Sequence, residues 1–167
     1  MSATANWSAE REALAVDALR SAGRLRLRVR GESMLPSLWP GDVAEVETCS
    51  LAEVRPGDIV LAVGDGRFFL HRWISSSASG FLMRGDSMPG PDPLYPRDAL
   101  LGRLAGLVRR GKWVAPRRLR SWSRAVGLLL CHCSWARHVA LKFLRPQGVS
   151  GPNAPEELLA VVCRPDV

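Results

Sequence analysis

Lysine is nearly absent from this chain. Of its 23 basic residues only Lys112 and Lys142 are lysines, so no lysine before position 112 can act as a general base. Cysteine is sparse too. Cys49, Cys131, Cys133 and Cys163 show no C-x-x-C spacing and are too few for a disulfide framework, so reduced thiols are expected. Cys131-His132-Cys133 resembles a ligand cluster, but positions two apart on a helix diverge by about 200°, so both thiols cannot close on one ion. Neither a metal nor a cofactor is expected. No uncharged apolar run reaches the roughly 18 residues that suggest a bilayer span. The stretch from Ala125 to Ala136 is cut off by Arg124 and Arg137. Glu10, Arg11, Glu12 and Asp17 stand where an export signal would carry its apolar core, so a cytoplasmic location is expected. Acidic residues are missing between Asp98 and Glu156, an interval that holds Arg103, Arg109, Arg110, Lys112, Arg117, Arg118, Arg120 and Arg124. One end of the molecule should therefore be strongly positive. That field suits peripheral contact with an anionic membrane, and nucleic acid is the less favoured partner.

What is present points to a folded core. The 167 residues are 47% hydrophobic and 23% charged, enough to bury a single core, and 15 glycines with 12 prolines favour short strands joined by tight turns. Residues 8 to 22 suggest a short amphipathic helix, with Ser8 as N-cap and Gly23 as its stop. Residues 24 to 30 alternate strictly, with Leu25, Leu27 and Val29 between arginines, the pattern of a half-buried strand. Further strands are expected at 43–48, 58–63, 67–74, 80–84 and 100–109. Turns at Pro40-Gly41, Pro56-Gly57 and Gly64-Asp65-Gly66 separate them. The expected fold is mainly β, an antiparallel domain with a short N-terminal helix and a longer C-terminal amphipathic helix. The organisation divides into a helix at 1–23, a β domain at 24–112, a basic helical segment at 113–146, and a linker with a tail at 147–167. In that tail, ELLAVVCRP suits either an edge strand or an ordered tail.

The strongest local signal is Gly31-Glu32-Ser33-Met34-Leu35-Pro36, followed by Gly41-Asp42. A serine in a tight turn at the end of a strand presents its hydroxyl beside free backbone N–H groups, as a nucleophile requires. It also needs a base. His71, in Phe68-Phe69-Leu70-His71-Arg72-Trp73, sits among apolar residues that favour the neutral imidazole able to accept a proton. Asp86 and Asp92 lie in a loop rich in proline and glycine, where either could orient that imidazole. Asp86 is preferred because it directly ends a strand, although either acid could instead cap a turn or pair with Arg72 or Arg84. Asp42 and Asp58 are read as turn residues.

These pieces, in order, resemble the type I signal peptidases. The G-x-S-M-x-P turn is followed by G-D, then P-G-D-I-V-L, then a strand ending L-H-R, then R-G-D with a second aspartate six residues on. They are most similar to the branch in which histidine replaces the general-base lysine, and related self-cleaving repressors share the β fold. The resemblance runs from Gly31 to about Val108. It implies a serine endopeptidase with Ser33 as nucleophile, His71 as base and Asp86 and Asp92 as the two aspartates. Its substrate would be an extended peptide or protein precursor with small residues near the cut. Met34, Pro36, Trp39 and Trp73 are the expected substrate-binding residues, the two tryptophans either packing near the site or lining a substrate groove. Two departures stand out: Ser87 and Met88 replace asparagines usual in the family, and Gly31 replaces a serine that can donate to the oxyanion, leaving that role to backbone N–H groups. The alternatives are a non-catalytic peptide- or membrane-binding module on the same fold, and a self-cleaving regulator cut at Ala22-Gly23.

Overall fold

A computed structural model describes residues 3–116, Lys142 and residues 160–163. The alternating stretch forms strand β1 (Arg24–Gly31), with Leu25, Leu27 and Val29 buried and the intervening arginines turned outward. On the outer side Arg24 and Arg26 reach Glu45 of strand β2 (Val43–Glu47) at 3.5 and 3.1 Å. Such exposed pairs contribute under about 1 kcal/mol each, whereas burying a Leu or Val side chain contributes roughly 1.5–3 kcal/mol. The apolar face therefore sets the register, because a one-residue slip would turn it to water.

The remaining strands are β3 (Ile59–Gly64), β4 (Arg67–Ser77), β5 (Gly80–Arg84), β6 (Leu100–Arg109), β7 (Lys112–Val114) and β8 (Ala160–Cys163). They make one sheet in the order β5-β4-β3-β6-β2-β1-β8, with β7 paired to β6. Among the described residues every pairing is antiparallel except β1 with β8. The mainly antiparallel β fold with a short N-terminal helix is thus what the chain adopts, and 160–163 forms the edge strand suggested for the tail. β4 runs three residues past the expected 67–74, and β7 was not foreseen. Because β7 and β8 join the same sheet, the sheet extends beyond the 24–112 segment. The expected C-terminal helix, the zinc-like Cys131-His132-Cys133 cluster and most of the basic stretch lie outside the described residues.

Helix α1 spans Ala3–Ala22, so Ser8 falls inside it and is not its cap. Its end is as expected: the Gly23 amide donates to the Leu19 carbonyl at 2.9 Å, and Gly23 has φ +70°, the left-handed geometry glycine adopts without penalty. Ala15 and Leu19, one turn apart, are buried in the main core, whereas Leu14 is 60% exposed. That core gathers Leu25, Leu27 and Val29 of β1 with Val46, Leu61, Leu70 and Leu104 of the neighbouring strands. A second cluster on the opposite face holds Val60, Ala62, Trp73, Phe81 and Met83. His71 and Arg72 follow one another on β4, so strand geometry sends their side chains to opposite faces. Among the described residues no helix is long and apolar enough to cross a membrane.

Candidate active site

Two segments converge on β4. The first is the turn after β1, where Leu35 N–H donates to Glu32 O at 3.1 Å and Leu38 N–H to Met34 O at 2.9 Å. Its far end is closed by Asp42, whose fully buried carboxylate accepts from the Trp39 amide (2.9 Å) and from Arg109 Nη2 (2.6 Å). Arg109 also donates to Ser37 O at 3.0 Å, so Asp42 anchors a loop as well as ending a turn. This gives Arg109 a structural partner. Arg103, another residue of the positive stretch, pairs with Glu47 at 2.9 Å.

The second segment leaves β5, turns at Gly85–Met88, and returns along the β5 edge. Asp92 N–H donates to Met83 O at 2.9 Å, and Phe81 and Tyr95 exchange backbone hydrogen bonds at 2.9 and 3.0 Å. Stacked rings strengthen this return: Trp73 on Phe81 with centroids 4.7 Å apart, and Phe81 on Tyr95 at 5.7 Å. The two segments are latched together. The Ser87 amide donates to Ser33 O at 2.9 Å and Ser87 Oγ to Glu32 O at 2.7 Å. A side chain at Gly85 would put its Cβ 2.6 Å from Ser33 O and 2.7 Å from Met88 Cγ, so only glycine fits there unless the loops part.

The result is a chain of three side chains. Ser33 Oγ lies 2.7 Å from His71 Nε2, and His71 Nδ1 lies 2.6 Å from Asp92 Oδ2. A carboxylate has no hydrogen to give, so Nδ1 is the donor and Nε2 is left as the acceptor for the serine hydroxyl. Ser33 and His71 keep 3% and 5% of their surface exposed, and Phe69 packs beside the imidazole at a centroid distance of 6.0 Å. Among the described residues no hydrogen bond engages the Ser33 amide, which leaves an N–H beside the hydroxyl.

The preference for Asp86 as the acid facing the imidazole is corrected by this geometry. Asp86 pairs in two-pronged fashion with Arg72, at 2.7 Å to Nε and 2.8 Å to Nη2. The physical reason lies in β4. His71 and Arg72 emerge on opposite faces, and a guanidinium only 8% exposed requires its own carboxylate. Ser37 Oγ and Gly57 O accept from the same guanidinium, which ties the serine turn to the Pro56-Gly57 turn.

Three of the four expected substrate-binding residues lie inside the fold. Met34, Trp39 and Trp73 are buried at 1%, 7% and 3% exposure. Met34 belongs to the main core, Trp73 stacks on Phe81, and Trp39 Nε1 donates to Pro36 O at 3.0 Å. Only Pro36 remains partly exposed. The pairing of Asp86 with Arg72 is one of the alternatives the sequence offered; Gly85 and Ser87 were missed as positioning residues, their one sequence cue being the abundance of small residues in 85–90. Ala22-Gly23, considered as a self-cleavage site, lies at the other end of β1 from Ser33, about 26 Å away for an eight-residue strand. Gly23 O accepts from the Thr48 amide at 3.0 Å, which fixes it there.

Among the described residues no group of histidine, cysteine and acidic side chains could hold a metal ion. Comparisons of this chain with family models, curated proteins and solved structures find no match.

Proposed function

We propose that the protein is a serine endopeptidase that cleaves an extended peptide or protein precursor. The single observation carrying this reading is the Ser33–His71–Asp92 chain, with its 2.7 and 2.6 Å links. The ordered likeness to type I signal peptidases from Gly31 to about Val108 supports it. Ser33 Oγ attacks the scissile carbonyl while His71 Nε2 takes its proton, and Asp92 holds the Nδ1–H and stabilises the imidazolium that forms. The tetrahedral oxyanion is met by the Ser33 N–H. His71 then returns the proton to the leaving amine, giving an acyl-enzyme, and a water deprotonated by His71 releases the acid and restores Ser33. With Gly31 in place of a hydroxyl donor, the hole depends on backbone N–H. One such donor contributes on the order of 3 kcal/mol to transition-state binding in well-studied hydrolases.

The test is cleavage of a diverse peptide library by wild type and Ser33→Ala, read by mass spectrometry. Fragments from wild type that are missing with Ser33→Ala support a serine peptidase and define its preference. Identical fragment patterns, or none, remove the proposal and favour a binding module on the same fold.

A further inference from the structure

Strand β8 stands apart from the rest of the sheet. Among the described residues its pairing is the only parallel one, and its partner is the half of β1 that leads into the serine turn: Arg28 opposite Ala160, Val29 opposite Val161, Arg30 opposite Val162 and Gly31 opposite Cys163. Because the pair is parallel, β8 runs toward Ser33 and ends level with Gly31, two residues short of it. At roughly 3.3 Å per residue, an extended chain continuing in that direction reaches the serine within about two residues. β8 also comes alongside β4, the strand bearing His71, with Cα atoms within 8 Å. The backbone of 160–163 therefore lies between the strand that delivers the nucleophile and the strand that delivers the base. In this arrangement Ser33 and His71 are almost fully covered.

An extended peptide presenting a carbonyl to Ser33 by strand addition would use the same edge of β1. We propose that residues 160–163 are a tethered, substrate-like strand that competes with an extended peptide for this slot, holding the site in a self-occupied state. This deepens the peptidase reading and rests on it for the meaning of the competition. Ala160-Val161-Val162-Cys163 is short and contains two β-branched residues, a composition suited to strand addition. Occupancy by a tethered segment lowers the competent fraction. If β8 is docked about nine-tenths of the time, roughly a tenth of the molecules can bind, and the apparent KM rises about tenfold. A saturating substrate displaces the segment, so kcat does not change.

The experiment uses the full chain carrying Val161→Pro and Val162→Pro, which remove the two central backbone donors of the strand. Two readouts are taken: KM for an extended peptide substrate, and amide hydrogen exchange at residues 28–31. A synthetic peptide of residues 157–165 is then added in trans. The expected result is exchange at 28–31 at least tenfold faster, KM about tenfold lower with kcat unchanged, and renewed protection when the peptide is added. Unchanged exchange overturns the proposal, as does faster exchange with KM unaltered. If neither protein turns over substrate, the peptidase reading fails separately. Faster exchange that the added peptide reverses then still establishes the slot and its tethered occupant, and faster exchange that it does not reverse overturns them.

Discussion

Asp92→Asn separates the two acids that the sequence left in competition. The substitution preserves size but removes the carboxylate that accepts from His71 Nδ1 at 2.6 Å. An amide there can offer its own N–H to the ring, which favours the tautomer with Nε2 protonated and unable to accept from Ser33. The equivalent change in a serine peptidase triad lowers kcat about 10⁴-fold, or roughly 5.5 kcal/mol at about 1.36 kcal/mol per decade. Asp92 is largely covered at 14% side-chain exposure, but the isosteric amide keeps its shape and an acceptor oxygen, so the substitution should cost less stability than catalysis. Asp86→Asn should do the reverse. The pair it disrupts is 8% and 2% exposed, and stranding the Arg72 guanidinium costs about 3 kcal/mol, a fall in Tm on the order of 10 °C. Its effect on kcat per folded molecule should stay within about tenfold, since the carboxylate does not reach the imidazole. The assay is steady-state cleavage of a fluorogenic extended peptide, corrected for folded fraction, beside thermal unfolding of each variant. If Asp92→Asn keeps kcat within tenfold of wild type while Asp86→Asn abolishes it in a stably folded protein, the assignment of the two acids is wrong.

Three other perturbations follow from the same contacts. Gly85→Ala should separate the Ser87 latch from the serine turn; because about 1 Å of misplacement can cost 10²-fold, kcat should fall about that much while the far-ultraviolet spectrum is retained. Asp42→Ala leaves Arg109 and the Trp39 amide without their shared acceptor and should destabilise by about 3–5 kcal/mol in denaturant unfolding. Burial beside the second core cluster pushes the Cys49 thiol up to about 11 from 9.0. Above pH 9 the unfolded chain then releases this proton before the folded one does, so stability should fall between pH 9 and 11, and Cys49→Ser should flatten that part of the profile. Mass-mapped alkylation should find Cys49 slow at pH 8, since little thiolate exists there.

Much of the architecture was legible because burial has a period. RLRLRVR could hide its leucines and valine in only one way, and the Pro-Gly and Gly-Asp-Gly turns marked where strands stop. β7 was hidden because three residues are too few for a period to show, and the early start of α1 because Ser8 looked like a cap. Ser33 and His71 were readable from motif order, but the choice between Asp86 and Asp92 was not. It depends on the opposite faces taken by His71 and Arg72 and on the Phe81–Tyr95 pairing that carries Asp92 back along β5. For Trp39 and Trp73 the sequence left packing near the site and lining a groove side by side; large aromatic rings bury much area, and both are packed here at 7% and 3% exposure.

The most direct test of the Ser33–His71 pair is a double-mutant cycle on kcat/KM, using the best peptide from the library with wild type, Ser33→Ala, His71→Ala and the double variant. Residues acting as one proton-transferring unit lose nearly everything at the first substitution, so the double variant should match either single variant within a few-fold. Losses that multiply, or a His71→Ala variant within tenfold of wild type, would show that the 2.7 Å contact between Ser33 and His71 is not the catalytic one.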